Sequence, residues 1–212
     1  MTTIADIRGR LRTDLHDTDS ANYRWTDGEL DRHTQRAVRE FSLAAPLEAK
    51  TTLTATPGSR DVSISGLADL VAIEAVEYPT GQYPACYVRY SVWLTTLTLL
   101  IDGTPSAADS IALYYTKLHA IDGSGSSVPA RFEDTIAAGA AGYAAVEWAS
   151  FATNRVNVGG QDVWRDYLAW GQTRLSEFQA AIAEFGRRNA VRARRLYKPA
   201  SDVPNQSTVT GP

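Results

Sequence analysis

The 212-residue chain has one cysteine, Cys86, and one methionine. A single thiol excludes a disulfide framework within the chain and leaves no cysteine cluster for a zinc site. Cys86 is read as a small, buried apolar residue. Histidine is nearly as scarce. His16, His33 and His119 fall in three separate segments, none with a second His or Cys at ligand spacing. No GxSxG and no Cys/His nucleophile pair is present. Asp17 and Asp19 open like a calcium loop, but Ala21 and Asn22 stand where a ligand and the glycine belong. Gly123-Ser124-Gly125 lacks the Lys-Ser/Thr ending of a phosphate-binding loop. No metal, cofactor or catalytic residue is expected. The most apolar stretch, Ile136 to Val146, falls well short of the ~20 residues that span a bilayer, so no membrane partner is expected. Residues 1–12 carry Asp6, Arg8 and Arg10 in place of the apolar core of a signal peptide. A net charge of −3 excludes a chain-wide electrostatic grip on nucleic acid.

With 44% apolar and 21% charged residues, the chain has the composition of a folded globular protein. Ile4, Ile7, Leu11 and Leu15 recur at helical spacing behind two possible caps, Thr2 and Thr3. A polar loop follows, and then Trp25-Thr26-Asp27-Gly28-Glu29-Leu30. Thr26 and Glu29 have capping-box spacing, and Trp25 and Leu30 stand at the two positions of a hydrophobic staple. Leu30, Thr34, Ala37, Val38 and Phe41 continue one helical face until Pro46 stops it.

Between about residues 50 and 118 the period changes to two. Leu53/Ala55, Val62/Ile64, Val71/Ile73/Ala75, Tyr87 to Val92, Leu94 to Ile101 and Ile111/Leu113/Tyr115 read as strands. Pro57-Gly58, Pro79-Thr80-Gly81 and Asp102-Gly103 mark turns between them. After a Gly/Ser loop at residues 122–127, Pro129 is expected at the first position of a helix rich in Ala and Gly. Each glycine there costs up to about 1 kcal/mol relative to alanine. The expected compensation is close helix packing, which makes this the central core helix. Asn157-Val158-Gly159-Gly160 breaks the chain again. In the last helix Trp164, Leu168, Gly171, Leu175, Phe178, Ile182 and Phe185 alternate spacings of four and three, the seam of a helix–helix contact.

The seam ends where a basic segment begins. Arg187, Arg188, Arg192, Arg194, Arg195 and Lys198 bring six cations and no acid to residues 186–198, leaving −9 on the rest. A helix C-terminus favours some of this charge, but six cations exceed what capping needs. Tyr197 beside the arginines favours a protein partner over a phosphate backbone. The polar, proline-containing residues 199–212 read as a tail able to fold against a partner. The expected fold is α+β: a four-helix core with an inserted antiparallel β subdomain and an extended C-terminal tail. The expected segments are 1–49 and 121–198 for the core, 50–120 for the insertion and 199–212 for the tail.

This order of parts resembles the head-to-tail connector (adaptor) proteins of tailed bacteriophages. The resemblance lies in Trp25-Thr26-Asp27-Gly28-Glu29-Leu30, similar to the family's W-[S/T]-D-x-E-L, and in Ala37-Val38-Arg39-Glu40, similar to its A-x-x-E. The strand from Ile111 to Thr116, Leu118, the Asp-Gly loop, Val128-Pro129 and the Ala-rich helix resemble the family's later half. The resemblance implies a structural, non-enzymatic subunit at the virion neck, assembled in the host cytoplasm as a homo-oligomeric ring, usually of twelve copies. It implies contact with the portal and with the tail or stopper protein, and genomic DNA passing through the lumen without sequence-specific contact. By that analogy Arg187, Arg188, Arg192, Arg194, Arg195, Tyr197 and Lys198 meet the portal. Two rival expectations are a nucleic-acid-binding module using the same basic segment and an enzyme with no recognisable site.

Overall fold

The computed structural model describes residues 2–106, 109–152 and 162–196, with side chains described as far as residue 189. The chain forms two compact units, one of the residues up to 47 together with residues 118–190 and one of residues 48–117. The fold is α+β.

Among the described residues the first unit holds the helices α1 (Ile4–Asp14), α2 (Asp27–Ala44), α3 (Glu133–Ala152) and, as far as residue 190, α4 (Val163–Leu196). Thr3 is the N-cap of α1, and its side chain and that of Asp6 form a reciprocal box. Thr26 does the same for α2 with Glu29: the Glu29 carboxylate accepts from the Thr26 N–H at 2.7 Å. Each box satisfies backbone donors that a helix start leaves unpaired. α2 ends at Ala44, where Ala45 leaves helical geometry directly before Pro46. A proline disfavours the helical region for the residue before it. Pro129 departs from the sequence expectation. It is extended (ψ 139°) and precedes a short 3-10 turn, Ala130–Phe132, so α3 starts four residues later at Glu133. Glu133 and Asp134 in that first turn complement the helix dipole. The expected break at Asn157–Gly160 lies outside the described residues.

Buried Ile7, Leu11, Leu15, Trp25, Leu30, Phe41, Ile136 and Phe178 form one continuous core with the alanines of α3. Only a helix enclosed by its neighbours tolerates apolar residues all round, and α3 is buried along nearly its whole length.

Among the described residues the second unit holds seven strands: β1 (Leu47–Thr54), β2 (Asp61–Ser63), β3 (Leu70–Glu77), β4 (Tyr87–Val88), β5 (Tyr90–Trp93), β6 (Thr96–Leu99) and β7 (Ser110–Lys117). They make a four-stranded sheet of order β1-β7-β3-β4 and a three-stranded sheet of order β2-β6-β5. The pairs β3–β7, β3–β4, β2–β6 and β5–β6 are antiparallel. Two expectations need correction. The run Tyr87 to Val92 is divided: Tyr87–Val88 pairs with β3 in one sheet, and the chain from Tyr90 pairs with β6 in the other. Leu94 is no strand residue. With Thr95 it makes the two-residue connection of the β5–β6 hairpin, at φ +52°. Two register shifts between β3 and β7 interrupt strict alternation there. Val62, Ile64, Val76, Leu97, Leu99, Ile111 and Leu113 fill the core between the strands.

Candidate interaction surfaces

The Trp25–Leu30 motif serves the fold. Trp25 is buried, donates its indole N–H to the Ala144 carbonyl at 3.3 Å, and packs beside Trp148 and Tyr167 at ring distances of 6.3 and 6.2 Å. Leu30 is buried in the same core. Asp27, at the first helical position, accepts from Arg12 at 2.6 Å and from Arg8 at 2.8 Å. The Arg12 hydrogen bond holds the Asp27 carboxyl below the usual carboxylate range. Arg8 also grips Asp31 with two nitrogens, at 2.9 and 2.7 Å. Arg12 is only 7% exposed. It reaches buried Asp17 at 2.8 Å and lies over the Tyr23 ring at 3.3 Å. A buried guanidinium requires such a set of acceptors. Arg12, Asp17 and Asp31 carried no signal in the sequence, because their partners stand five to 23 residues away with no fixed periodicity.

The α3–α4 contact is close enough to explain the glycines. A methyl group on Gly139 would meet the Phe178 ring at 2.8 Å. One on Gly142 would meet Leu175 at 2.9 Å and the Gly171 carbonyl oxygen at 3.0 Å. One on Gly171 would meet the Gly142 carbonyl oxygen at 3.0 Å. Of the seam residues, Phe178 is buried, and Leu175, Ile182 and Phe185 pack against the core. Trp164 and Leu168 are half-buried and stand outside that cluster, where Tyr167 and Trp170 take the core side. The core-facing stripe of α4 is therefore offset by about one residue N-terminal to Gly171.

At the basic segment, Arg187 and Arg188 both fold back on Glu184, at 2.6 and 2.9 Å. The hydrogen bond from Arg187, then that from Arg188, lowers the Glu184 pKa. One acidic residue just ahead of the segment thus offsets part of its charge. Asn189 donates to the Ala44 carbonyl at 3.1 Å, and Gly186 lies against Ala44. Arg192, Arg194 and Arg195 lie on α4, with side chains outside the described residues. Tyr197, Lys198 and the tail also lie outside them.

The titratable groups are structural in their surroundings. Burial pushes the His33 imidazole below 6.5, while the nearby Glu147 carboxylate, 3.4 Å away, opposes that shift. His119 is lowered mainly by burial, and its ring nitrogens face the Ser127 and Ala45 carbonyls at 2.9 and 3.1 Å. Tyr143 hydrogen-bonds Glu40, and burial together with that bond raises its phenol to about 12. Cys86 is partly buried rather than buried. Among the described residues no group of three or more His, Cys, Asp or Glu is placed to hold a metal ion. No helix among them is long and apolar enough to cross a membrane.

The family model for the SU10 adaptor protein matches residues 2–201. No curated protein matches the sequence. Among solved structures the chain is similar, at 14% identity and a TM-score of 0.27, to a chain of the neck of an empty GTA particle computed with C6 symmetry. That alignment covers 80% of this chain and 88% of the other. The match of the family model along nearly the whole sequence shows that the chain belongs to the SU10 adaptor protein family.

Proposed function

We propose that this chain is a structural, non-enzymatic head-to-tail adaptor of a tailed bacteriophage. In this reading copies of it form a ring, about twelve-fold, at the virion neck. The ring binds the portal on one side and the tail or stopper protein on the other, and genomic DNA passes through the lumen. The observation that carries the reading is the family match over residues 2–201. The residues proposed to grip the portal are Arg187, Arg188, Arg192, Arg194, Arg195, Tyr197 and Lys198, on the end of α4 and just beyond it. Tyr and Arg are frequent anchors at protein interfaces.

The test is co-sedimentation of the full chain with purified portal rings. A stoichiometric complex is expected, lost when residues 187–212 are removed and weakened when Arg192, Arg194 and Arg195 become glutamate. Absence of a complex with every portal, combined with tight duplex binding that falls steeply with salt, would replace the adaptor reading with the nucleic-acid one.

A further inference from the structure

Two features outside the basic segment match each other chemically. The first is the β5–β6 hairpin. From Tyr90 to Ile101 the chain carries no charged residue. Leu97 and Leu99 anchor its base in the strand core, and the Tyr90 hydroxyl donates to the Ile73 carbonyl. The tip is bare: Trp93 is 81% exposed and Leu94 86%. Leu94 holds a left-handed backbone (φ +52°), a conformation that hairpin turns ordinarily give to Gly, Asn or Asp. A large apolar side chain therefore occupies the turn position where it is locally least favoured and most exposed.

The second feature is a cavity of ≈ 240 Å³ in the helical unit. Leu15, Tyr167 and Trp170 make its apolar lining, and Asp14, His16 and Asp166 complete it. Tyr167 is backed by Trp148 at a ring distance of 4.6 Å, so the floor is packed. The cavity is smaller than the ~300–1,000 Å³ of small-molecule sites, and its size suits one large side chain. An indole presents one N–H donor and no acceptor, and the two exposed carboxylates, Asp14 and Asp166, present acceptors only. An apolar knob and a complementary pocket at different places on one chain define a heterologous, head-to-tail contact between copies.

We propose that Trp93 of one copy seats in the cavity of Leu15, Tyr167 and Trp170 of the next copy. Its indole N–H is donated to a carboxylate at the cavity, and Leu94 covers the edge. This deepens the ring reading above and rests on it for the number of copies, while the pairwise contact is testable alone.

The full chain carrying Cys86→Ser has no native thiol. In that background Leu94→Cys and His16→Cys chains are purified separately, mixed with portal rings present, and mildly oxidised. A disulfide requires Cα atoms within about 7 Å, and the mixture can form a heterodimer only between copies. The expected result is a Leu94–His16 heterodimer at least tenfold more abundant than that from Leu94→Cys with Gln179→Cys, a position exposed on α4. Adding Trp93→Ser to the Leu94→Cys chain abolishes it. Sedimentation of the same samples reports rings. Rings with no preferred heterodimer overturn this contact and leave the adaptor reading standing. Heterodimers without rings keep the contact and remove the ring. Neither species removes both. Homodimers of the Leu94→Cys chain alone overturn the proposal in favour of tip-to-tip pairing.

Discussion

In the helical unit, arginines make most of the ion pairs between distant segments: Arg8 and Arg12 hold the start of α2, Arg10 reaches Glu133 and Asp134, and Arg32 reaches Glu147. In the strand unit tyrosine hydroxyls share this work with Arg60, which donates to the Gly103 and Asp102 carbonyls, and Lys50, which pairs with Glu77. Tyr78 donates to Asp109, Tyr114 to Glu77, and Tyr90 to a backbone carbonyl. The apolar residues differ as well. Helices α3 and α4 meet glycine against glycine, with no room for a methyl group, whereas the strand unit leaves Tyr83, Trp93 and Leu94 on its surface. The helical unit exposes large apolar side chains too, but Leu43 and Phe151 stand out less than Tyr83, Trp93 and Leu94 of the strand unit.

The largest effect is expected at the core of the helical unit. Phe178→Ala empties a site that is 1% exposed, against Gly139 and Tyr143. It is expected to cost about 4 kcal/mol in urea denaturation followed by helical circular dichroism. Arg12→Ala strands the buried Asp17 carboxylate and removes a ligand of Asp27. A loss of about 3 kcal/mol is expected by the same measurement, with little rescue by Arg12→Lys, which cannot reach several acceptors in a fixed plane. Gly171→Ala places a methyl group 3.0 Å from a backbone oxygen. About 2 kcal/mol is expected to be lost, whereas Gly9→Ala on α1, where nothing lies within 4 Å, should gain roughly 0.5–1 kcal/mol. Thr26→Ala opens the capping box and should cost about 1 kcal/mol.

The smallest effect concerns pH. All three histidines lie in the helical unit, and the folded-state pKa values of His33 and His119 are lowered from 6.5. The unfolded chain therefore binds protons that the folded chain refuses. Stability from this source is fully present above pH 6.5 and declines as pH falls below it toward the folded values. His33→Leu should flatten the decline in melting temperature between neutral and mildly acidic buffer. An equally steep decline in that variant would assign the effect to other groups.

The order of elements was legible in the sequence because it rests on short-range rules. The Thr26/Glu29 spacing, the Ala- and Gly-rich helix and the switch to period two are all local signals, and each corresponds to an element in the structure. The role of Pro129 is not encoded locally, because proline suits a helix start and an extended N-cap equally well, and the 3-10 turn after it has no separate signature. The split of Tyr87–Trp93 between two sheets was hidden because both halves have strand composition, and only the pairing partners differ. The apolar Leu94 looked like a strand residue for the same reason.

Spacing in the sequence encodes the order of helices and strands, the capped starts of α1 and α2 and the family, since hydrogen bonds three residues apart and side-chain periodicity are local. Tertiary structure alone decided which charges are neutralised, which glycines touch and which apolar residues stay outside. Arg10 meets Glu133 across 123 residues of chain and Gly142 meets Gly171 across a helix interface. Such partners are chosen by the path of the backbone, and no local pattern records that path.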